Sequence, residues 1–369
     1  MYKYKRLVIK LGTSTLTAGT SYISQDILFD LASQINTLCK NNCEVVVVSS
    51  GAMASGREAL SFPKLPKDIP AKQMLSAIGQ PRLMAMYTKL FAQYNQIVSQ
   101  VLLTRQDITE RRSYLNSRNT ILALLKQKVI PIINENDTVA TEEIKVGDND
   151  NLSALVSNLI DADLLLILTD QPGLYTSDPN IDPNATLVKE ITEPNIPDEL
   201  WQSAGKPSDD LGTGGMITKL QAADLARRSG TTVIIAKGNT KNNIIRAAQN
   251  ESVGTLFRPT HSTLEGRKRF ILSDRDTKNI IQIDNGAITA LKNGSSLLPV
   301  GIISIRGSFE RGDTVKLTDQ HNVEIALGLT NYSTTELNKI SGKQSVDIES
   351  LLGYNYGEEV IHRDQLVMI

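Results

Sequence analysis

Short apolar runs alternate with helix-periodic segments over residues 1–258, and this alternation constrains the fold more than any other feature of the chain. Val45–Val48 is an unbroken β-branched run, which is typical of a strand buried on both faces. The segment from Ser24 to Cys39 before it places apolar residues three and four positions apart, along one face of a helix. Repetition of this unit predicts an α/β fold with three layers, in which helices cover both faces of a mainly parallel sheet.

The same reasoning predicts the other elements of this first domain. Further strands are predicted at Leu7–Leu11, Ile97–Leu103, Val129–Ile133, Leu164–Leu168, Thr232–Ala236 and Gly254–Phe257. Further helices are predicted at Ala71–Tyr94, Tyr114–Lys128, Asn151–Leu159 and Thr218–Arg228. Within the first of these, Pro81 is expected to start a second helix after Gly79. Ligands of such sheets bind beyond the carboxyl ends of the strands, so functional residues are expected there.

The composition changes after Arg258, where a polar segment, residues 259–270, is predicted to be a linker. Residues 271–369 are predicted to form a small β-rich second domain, because short strand-like runs recur there. These runs are Ile280–Ile283, Gly301–Ile305, Thr314–Leu317 and Glu324–Leu329. Turns are predicted between them at Asn285-Gly286, Asn293-Gly294 and Arg311-Gly312-Asp313.

Charge and cysteine content exclude several classes of protein. Lys+Arg 39 against Asp+Glu 40 gives a net charge of −1, which argues against a footprint of the whole molecule on nucleic acid or an anionic membrane. Two cysteines with a C-x-x-x-C spacing and three histidines give neither a disulfide framework nor a zinc signature. No run of 18 apolar residues is present, and the first apolar run is too short for a signal peptide. We therefore expect a soluble cytoplasmic protein.

Glycine and small hydroxylated residues follow the first two predicted strands. Lys10 stands at the end of the first strand, before Gly12-Thr13-Ser14. The valine strand is followed by a run of small residues, Ser49–Gly56. Glycine lets the backbone approach an anion closely, and lysine supplies a compact positive charge. Each segment is either an ordinary turn between elements or an anion-binding site. Neither segment by itself distinguishes these two interpretations.

Carboxylates and amides are concentrated in two neighbouring segments, Asn134–Asp137 and Lys145–Asn151. So many acceptors together are costly unless they hold a cation, an amine or one another. They do not fit a calcium-binding loop, because Gly147 precedes the acids and no glutamate stands at the final ligand position. A solvated turn with a helix cap before Leu152 is the other interpretation.

Two later segments have features that suit a nucleotide. Thr169-Asp170 ends a predicted strand and leads into a Pro-Gly turn and Tyr175. Leu211–Lys219 brings three glycines and two threonines to the start of a helix, with Lys219 in its first turn. This segment has neither the P-loop nor the dinucleotide-binding spacing of glycines. Together with Lys10 and the acidic cluster it favours phosphoryl transfer, which needs positioning and neutralisation of charge.

The motifs taken together resemble the amino acid kinase family, over essentially the whole chain. The matching segments are Lys10–Ser14, Ser50–Ala52, Ile133–Asp137, Lys145–Asn151, Leu168–Tyr175 and Gly212–Lys219. The second domain resembles a PUA domain, through Gly294–Ile302 and Phe309–Asp313 among others. This combination resembles the branch of the family that phosphorylates the side-chain carboxylate of L-glutamate with ATP, on the first step towards proline.

The resemblance implies a role for individual residues. Lys10, Lys219 and Asp150 would be the catalytic residues: the lysines would flank the transferring phosphoryl group, and Asp150 would hold both lysines. Ser50, Asp137 and Asn149 would bind glutamate, Asp137 through the α-ammonium group. ATP would be bound by Lys10, Thr169, Asp170, Thr213, Gly214, Gly215, Met216, Ile217, Thr218 and Lys219.

The resemblance also implies partners. Mg²⁺ would bridge the phosphates of ATP, and no protein ligand can be assigned to it. Proline is the expected inhibitor, a homotetramer or dimer the expected assembly, and a reductase of glutamyl phosphate a possible recipient of the product. PUA domains elsewhere bind RNA, but residues 275–369 carry 9 basic and 12 acidic residues, a net charge of −3 that works against it.

Alternative functions are distinguished by particular residues. A related enzyme acting on N-acetylglutamate would have no use for a carboxylate at the amine, whereas Asp137 is available; aspartate is not excluded, because the length of the pocket cannot be predicted from the sequence. An alternative from a different functional class is an RNA-binding PUA protein with a non-catalytic kinase-like domain. Loss of Lys10, Asp150 or Lys219 would have favoured it, and all three are present.

Overall fold

The computed structural model describes residues 2–66, 68–140, 149–179, 181–205, 215–262 and 277–369. Its contacts divide the chain into two compact units. The first consists of Met1–Ile108 and Arg118–Thr263, and the second of Thr109–Ser117 and Leu264–Ile369. No feature of the sequence indicated that Thr109–Ser117 groups with the second unit. Residues 263–270 of the predicted linker lie outside the described residues.

The first unit is built on an eight-stranded sheet in the order β3-β4-β2-β1-β5-β7-β8-β6. Its strands are β1 Arg6–Leu11, β2 Glu44–Ser49, β3 Val98–Leu103, β4 Ile130–Glu135, β5 Leu164–Thr169, β6 Glu190–Ile191, β7 Thr232–Lys237 and β8 Gly254–Phe257. All neighbours are parallel except β7 and β8. The predicted α/β fold is confirmed, and so are its predicted strands. The two-residue strand β6 was not predicted.

Helices connect these strands. Their bounds are α1 Thr13–Thr17, α2 Gln25–Lys40, α3 Ala52–Ala59, α4 Ile69–Ala92, α5 Arg105–Thr109, α6 Arg111–Lys126, α7 Asn149–Leu159, α8 Asp198–Ser203, α9 Met216–Arg228 and α10 Asn243–Ala248. Short helices such as α1 and α3 were not predicted, because they are too brief to show a periodic pattern. Among the residues described, no helix is long and apolar enough to cross a membrane.

Burial of the central strands explains their composition. Every residue of β4 and β5 is buried, as are Val45–Val48 in β2 and Leu7–Leu11 in β1. Because both faces of these strands are covered, both alternating sets of side chains are mainly apolar, and the polar exceptions lie at or near the carboxyl ends of the strands. The carboxyl ends of parallel β1, β2, β4 and β5 therefore lie along one edge of the sheet, where the polar residues of the loops are collected.

The prediction that Pro81 starts a second helix is wrong, because α4 continues through it from Ile69 to Ala92. Proline removes one backbone donor, but close packing against α3 holds this part of α4 in place. A Cβ atom at Gly79 would lie 1.8 Å from the carbonyl oxygen of Ala52. A Cβ atom at Gly56 would lie 2.0 Å from the carbonyl oxygen of Leu75. The two glycines let the helices approach more closely than any side chain would allow.

The second unit contains a five-stranded sheet in the order β10-β9-β11-β12-β13. Its strands are β9 Ile280–Ile283, β10 Ile302–Arg306, β11 Thr314–Thr318, β12 Glu324–Leu329 and β13 Leu366–Met368. Its helices are α11 Asn285–Lys292, α12 Thr334–Ile340 and α13 Ile348–Leu352. The four longer strands match the predicted runs, and the β-rich second domain is confirmed. Leu115, from the segment Thr109–Ser117, packs with Leu327, Leu329 and Val367 in this unit.

The turn predicted at Asn285-Gly286 is wrong, because these residues open α11. Asp284 is its N-cap, and its Oδ1 accepts a hydrogen bond of 2.7 Å from the backbone N–H of Ala287. An Asn-Gly pair is typical of a turn, but a capping carboxylate directly before it favours the start of a helix.

The two cysteines lie in and just beyond α2, and both are free thiols. Burial raises the pKa of the Cys39 thiol to about 12, and burial also raises the pKa of Cys43. Since the thiolate is the reactive form, these side chains are structural at neutral pH.

Candidate active site

Three charged side chains from different elements meet at the edge of the first sheet. Lys10 stands near the end of β1, Asp150 in the first turn of α7 and Lys219 in the first turn of α9. The Nζ of Lys10 lies 2.5 Å from Oδ1 of Asp150, and the Nζ of Lys219 lies 3.3 Å from its Oδ2. The structure thus places one carboxylate between the ammonium groups of the two predicted lysines.

The Asp150 carboxylate is fully buried, so its charge must be compensated. Burial by itself would raise its pKa, but the charges of Lys10 and Lys219 outweigh burial and lower the pKa to about 2. The Thr218 hydroxyl also donates a 2.7 Å hydrogen bond to Oδ2. The carboxylate therefore stays ionised near neutral pH and fixes both lysines.

A cleft of about 340 Å³ adjoins this cluster. One side is formed by Gly12 with the first two residues of α1, and by the start of α9, including Gly215, Met216 and Lys219. Thr169, Asp170 and the turn beyond β5 form another part, and the Thr169 hydroxyl donates to Oδ1 of Asp170 at 2.9 Å. The backbone N–H groups at the start of α9 have no side-chain cap, which is the arrangement that binds anions.

Neutral amides lie beside the charged cluster. Nδ2 of Asn149 donates to Oγ of Ser50 and to Oδ1 of Asn134, each at 3.0 Å. Nδ2 of Asn134 in turn donates to Oε1 of Gln80 at 2.8 Å. Ser50, which follows β2, also lines the cleft with Lys10. Two of the three residues predicted to bind glutamate, Ser50 and Asn149, are therefore in direct contact.

Asp137, the third of these residues, lines a second cavity of about 340 Å³. Gln80, Glu135 and Ala52 are also part of its wall. The pKa of the Asp137 carboxyl is raised, because burial disfavours its charged form. The structure thus connects Asp137 to the amide group through the shared wall residue Gln80, and it does not place Asp137 in the cleft that contains Lys10.

Thr213 and Gly214 lie outside the described residues, as do 145–148 of the acidic segment. Gly215, Met216, Ile217 and Thr218 are all described, and Gly215 is the N-cap of α9. Gln80, which accepts a hydrogen bond from Asn134 in the amide group, was not among the residues predicted from the sequence. Its one signal is a glutamine between Gly79 and Pro81, at a helical position that the apolar pattern would leave buried.

Within the part of the chain that the structure describes, no three His, Cys, Asp or Glu side chains form a group able to hold a metal ion. The Asp150 carboxylate has both oxygens occupied by ammonium groups. Asp170 is the exposed carboxylate at the end of β5 and lines the cleft.

Comparison with known proteins finds two families in the chain. The amino acid kinase family matches residues 5–237. The PUA domain matches residues 279–352. The first match covers more than half of the chain and contains all the residues of the cleft, and the second falls in the β-rich unit.

Individual relatives match over nearly the whole length. A glutamate 5-kinase of Vibrio campbellii is 51% identical over 364 residues, covering 98% of this chain and 96% of that protein. A glutamate 5-kinase of Dehalococcoides mccartyi is 50% identical over 370 residues, covering 99% of each. Among solved structures, UMP kinase of Bacillus anthracis matches 70% of this chain and 97% of its own, with 17% identity and a TM-score of 0.48.

Proposed function

The chain belongs to the amino acid kinase family, and on that premise we propose that it transfers the γ-phosphoryl group of ATP to the side-chain carboxylate of L-glutamate. The product is L-glutamyl 5-phosphate, on the first step of proline synthesis. The observation that carries the proposal is the buried Asp150 between Lys10 and Lys219 at the edge of a cleft large enough for a nucleotide.

The nucleophile in this reaction needs no activation. A glutamate side chain has an ordinary pKa of about 4.3, so it is already a carboxylate at neutral pH. A general base is therefore unnecessary, which suits a first domain with no histidine before His261. The chain has to bring two anions together and neutralise them.

Lys10 and Lys219 are suited to that task. We propose that their ammonium groups flank the phosphoryl group as it moves from ATP to the carboxylate, stabilising the negative charge on its oxygens. Asp150 would act as a positioning residue, because its two oxygens hold the two ammonium groups apart and in place. Rigid placement matters here, because in-line transfer depends on the alignment of donor and acceptor.

ATP would occupy the cleft. Thr169 and Asp170 lie at the end of β5, where the ribose or base can be bound. The segment from Thr213 to Lys219 would bind the phosphates, with Thr213 and Gly214 leading into the N-terminus of α9. The uncapped N–H groups and the dipole of this 13-residue helix favour an anion at that position.

Glutamate would be bound by Ser50, Asn149 and Asp137. The Ser50 hydroxyl and the Asn149 amide suit hydrogen bonds to a carboxylate and to neighbouring polar groups of the substrate. Asp137 supplies the negative charge that a free α-ammonium group requires. This charge would discriminate against N-acetylglutamate, whose amine is acylated.

Mg²⁺ would enter with ATP and neutralise charge on its phosphates. Asp150 is engaged by the lysines, and the carboxylates that line the cleft are those of the exposed Asp170 and Asp178. An ion held mainly by phosphates and water fits the reluctance of Mg²⁺ to lose its hydration shell.

The remaining parts of the proposal concern regulation and partners. Proline has the same α-carboxylate and a charged α-nitrogen, so we propose that it competes with glutamate near Asp137 and Asn149. We also propose that the protein assembles as a dimer or tetramer and acts in the cytoplasm, where ATP is the donor. Its labile product would be passed to a reductase. The PUA domain is proposed to tune activity or assembly, since the net charge of −3 over residues 275–369 opposes RNA binding.

The test is ADP formation with ATP, Mg²⁺ and hydroxylamine, which traps an acyl phosphate as a hydroxamate. L-Glutamate, N-acetyl-L-glutamate and L-aspartate are compared as substrates. Hydroxamate formed with L-glutamate supports the proposal. Hydroxamate formed only with another acid would retain phosphoryl transfer and overturn the substrate, while no turnover with any of the three would favour a binding protein and call for RNA titration of the chain.

A further inference from the structure

We infer that Gln80 is a positioning residue for glutamate, because it fixes the orientation of the Asn149 amide and of the Ser50 hydroxyl through Asn134. The inference rests on the proposed function and adds a residue to it. Gln80 contacts neither of the lysines nor the ATP cleft in the residues described. Its effect would pass along a row of three hydrogen bonds, from Gln80 to Asn134, to Asn149 and to Ser50.

The direction of this row is set by one backbone group. The N–H of Glu135 donates a 2.9 Å hydrogen bond to the side chain of Asn134. A backbone N–H can only donate, so the atom of Asn134 that faces it is the oxygen Oδ1. The other atom, Nδ2, must then face an acceptor, and that acceptor is Oε1 of Gln80 at 2.8 Å.

The hydrogen bond from Glu135 also determines which atoms of Asn149 and Ser50 face the proposed substrate. Since Oδ1 of Asn134 also faces Asn149, the atom of Asn149 that contacts it is Nδ2, at 3.0 Å. That Nδ2 donates its second proton to Oγ of Ser50. Ser50 therefore accepts from Asn149, and its own hydroxyl proton is available to donate to a carboxylate in the cleft that it lines.

Gln80 is needed because the row is buried. Asn134 is 3% exposed and Gln80 is 8% exposed, so water is largely unavailable to replace a lost partner. Without the Gln80 oxygen, Nδ2 of Asn134 would be a buried donor with its acceptor removed. The Asn134 amide would rotate towards another acceptor, and Asn149 and then Ser50 would lose their fixed orientation.

Packing of the backbone places the two ends of the row relative to one another. Gln80 follows Gly79, whose α-carbon lies against the carbonyl oxygen of Ala52 so closely that a Cβ atom would come within 1.8 Å. Ala52 is the first residue of α3 and stands two residues after Ser50. One contact between the helices therefore sets the positions of both Gln80 and Ser50, as a preorganised site requires.

The experiment is steady-state kinetics of the full chain with Gln80→Met, which fills a similar volume but offers no amide oxygen. We expect the KM for L-glutamate to rise about tenfold, which corresponds to one misdirected hydrogen bond. The KM for ATP and kcat should stay within about twofold of the wild-type values. Gln93→Met, at an exposed glutamine at the end of the same helix, is the matched control and should change neither constant.

Two further variants keep the inference falsifiable. In an Asn149→Ala background, Gln80→Met should add less than about twofold to the KM for glutamate, because its effect passes through Asn149. Gln80→Glu, which keeps an acceptor for Asn134, should remain within about threefold of the wild type even if Gln80→Met folds poorly.

The inference is overturned if Gln80→Met leaves the KM for glutamate unchanged, if it raises the KM values for glutamate and ATP together, or if its effect multiplies fully with that of Asn149→Ala. A folded Gln80→Glu protein with a tenfold higher KM would also overturn it. A wild-type chain that does not phosphorylate glutamate would contradict the proposed function itself, which makes the two failures distinguishable.

Discussion

The two ends of the candidate site solve different problems with different chemistry. At one end, Asp150 has both oxygens engaged by the ammonium groups of Lys10 and Lys219. At the other end, the Asn134 amide is joined to Asn149 and to Gln80 by neutral hydrogen bonds of 3.0 and 2.8 Å. Both groups are largely shielded from water, so the difference is one of charge and not of exposure.

Under the proposed function, the charged end serves phosphoryl transfer and the amide end serves recognition of glutamate. Positive charge is needed where negative charge develops on the phosphoryl group during transfer. Ion pairs keep the cations at that position without the help of mobile water. Recognition of a particular substrate is better served by amides with a fixed orientation, because a wrong ligand leaves buried donors and acceptors unpaired. We therefore expect changes at the charged end to act on kcat, and changes at the amide end to act on the KM for glutamate.

The largest effect is expected for Lys219→Ala. It removes one of the two cations that we propose flank the transferring phosphoryl group, and kcat should fall by about 10³-fold, as for other preorganised electrostatic groups. The KM for glutamate should change by less than about threefold. Lys89→Ala, at an exposed lysine of α4, is the control and should retain wild-type kcat. A variant that loses glutamate affinity while keeping kcat would break the proposed separation of the two ends.

Asp150→Asn should have the second-largest effect, and that effect is expected on the stability of the fold. It removes the carboxylate that pairs with two nearly buried ammonium groups, so the free energy of unfolding in urea should fall by about 3 kcal/mol at neutral pH. The pKa of Asp150 is lowered from 3.8 to about 2 in the folded state. The stabilisation from its charge is therefore present above pH 3.8 and lost as the pH falls through about 2.

The stability difference between wild type and Asp150→Asn should accordingly be constant near neutral pH and shrink over that acid range. A difference that does not depend on pH there would contradict the assignment of the stabilisation to the ionised carboxylate. Asp26→Asn, in the first turn of α2, provides a comparison at another aspartate.

Gly79→Ala should disturb the amide end through the backbone. The added Cβ would overlap the carbonyl oxygen of Ala52, so α3 and α4 must move apart, at a cost of about 2 kcal/mol in unfolding free energy. Because this contact places both Gln80 and Ser50, the KM for glutamate should rise while the KM for ATP changes little. Ala85→Ser, at an exposed position of the same helix, is the matched control for thermal melting and kinetics. Equal changes in both KM values would indicate a general disturbance.

The smallest effect concerns pH and Asp137. Burial raises the pKa of this carboxyl, so its charge is lost at a higher pH than that of an ordinary aspartate. If the charged form binds the α-ammonium group, kcat/KM for glutamate should fall as the pH drops through this raised pKa. Asp137→Asn should lower kcat/KM about tenfold at neutral pH and abolish that acid limb. An acid limb that survives in the variant would have to come from another group, such as the substrate carboxylate.

Much of this arrangement follows from local sequence. Continuous apolar runs such as Val45–Val48 indicate buried parallel strands, and parallel strands bring Lys10 and Thr169 to one edge of a sheet. The charged end was predictable because lysines and aspartates are conspicuous beside glycine-rich turns. The resemblance to a known family then gave Asp150 a role between the two lysines.

The amide end was harder to predict, because its decisive contacts are tertiary. Pro81 indicates a helix break, and only the approach of α3 and α4 at Gly79 shows why α4 continues. The one local signal at Gln80 is its place on the buried side of a helix, and its contact with Asn134, which lies 54 positions away, could not be predicted from that. The same holds for Asn285-Gly286 in the second unit. This pair is typical of a hairpin turn, but it starts a helix because the carboxylate of Asp284 caps it.

The most direct test of the whole account follows an oxygen atom from substrate to product. L-Glutamate labelled with ¹⁸O in its side-chain carboxylate is incubated with the enzyme, ATP and Mg²⁺, and the acyl phosphate is cleaved with hydroxylamine. If the carboxylate attacks the γ-phosphorus, the bridging oxygen comes from glutamate, and attack of hydroxylamine at the carbonyl carbon releases phosphate carrying one ¹⁸O atom. Phosphate without ¹⁸O would mean that water is the acceptor, and would contradict the transfer that we propose between Lys10 and Lys219.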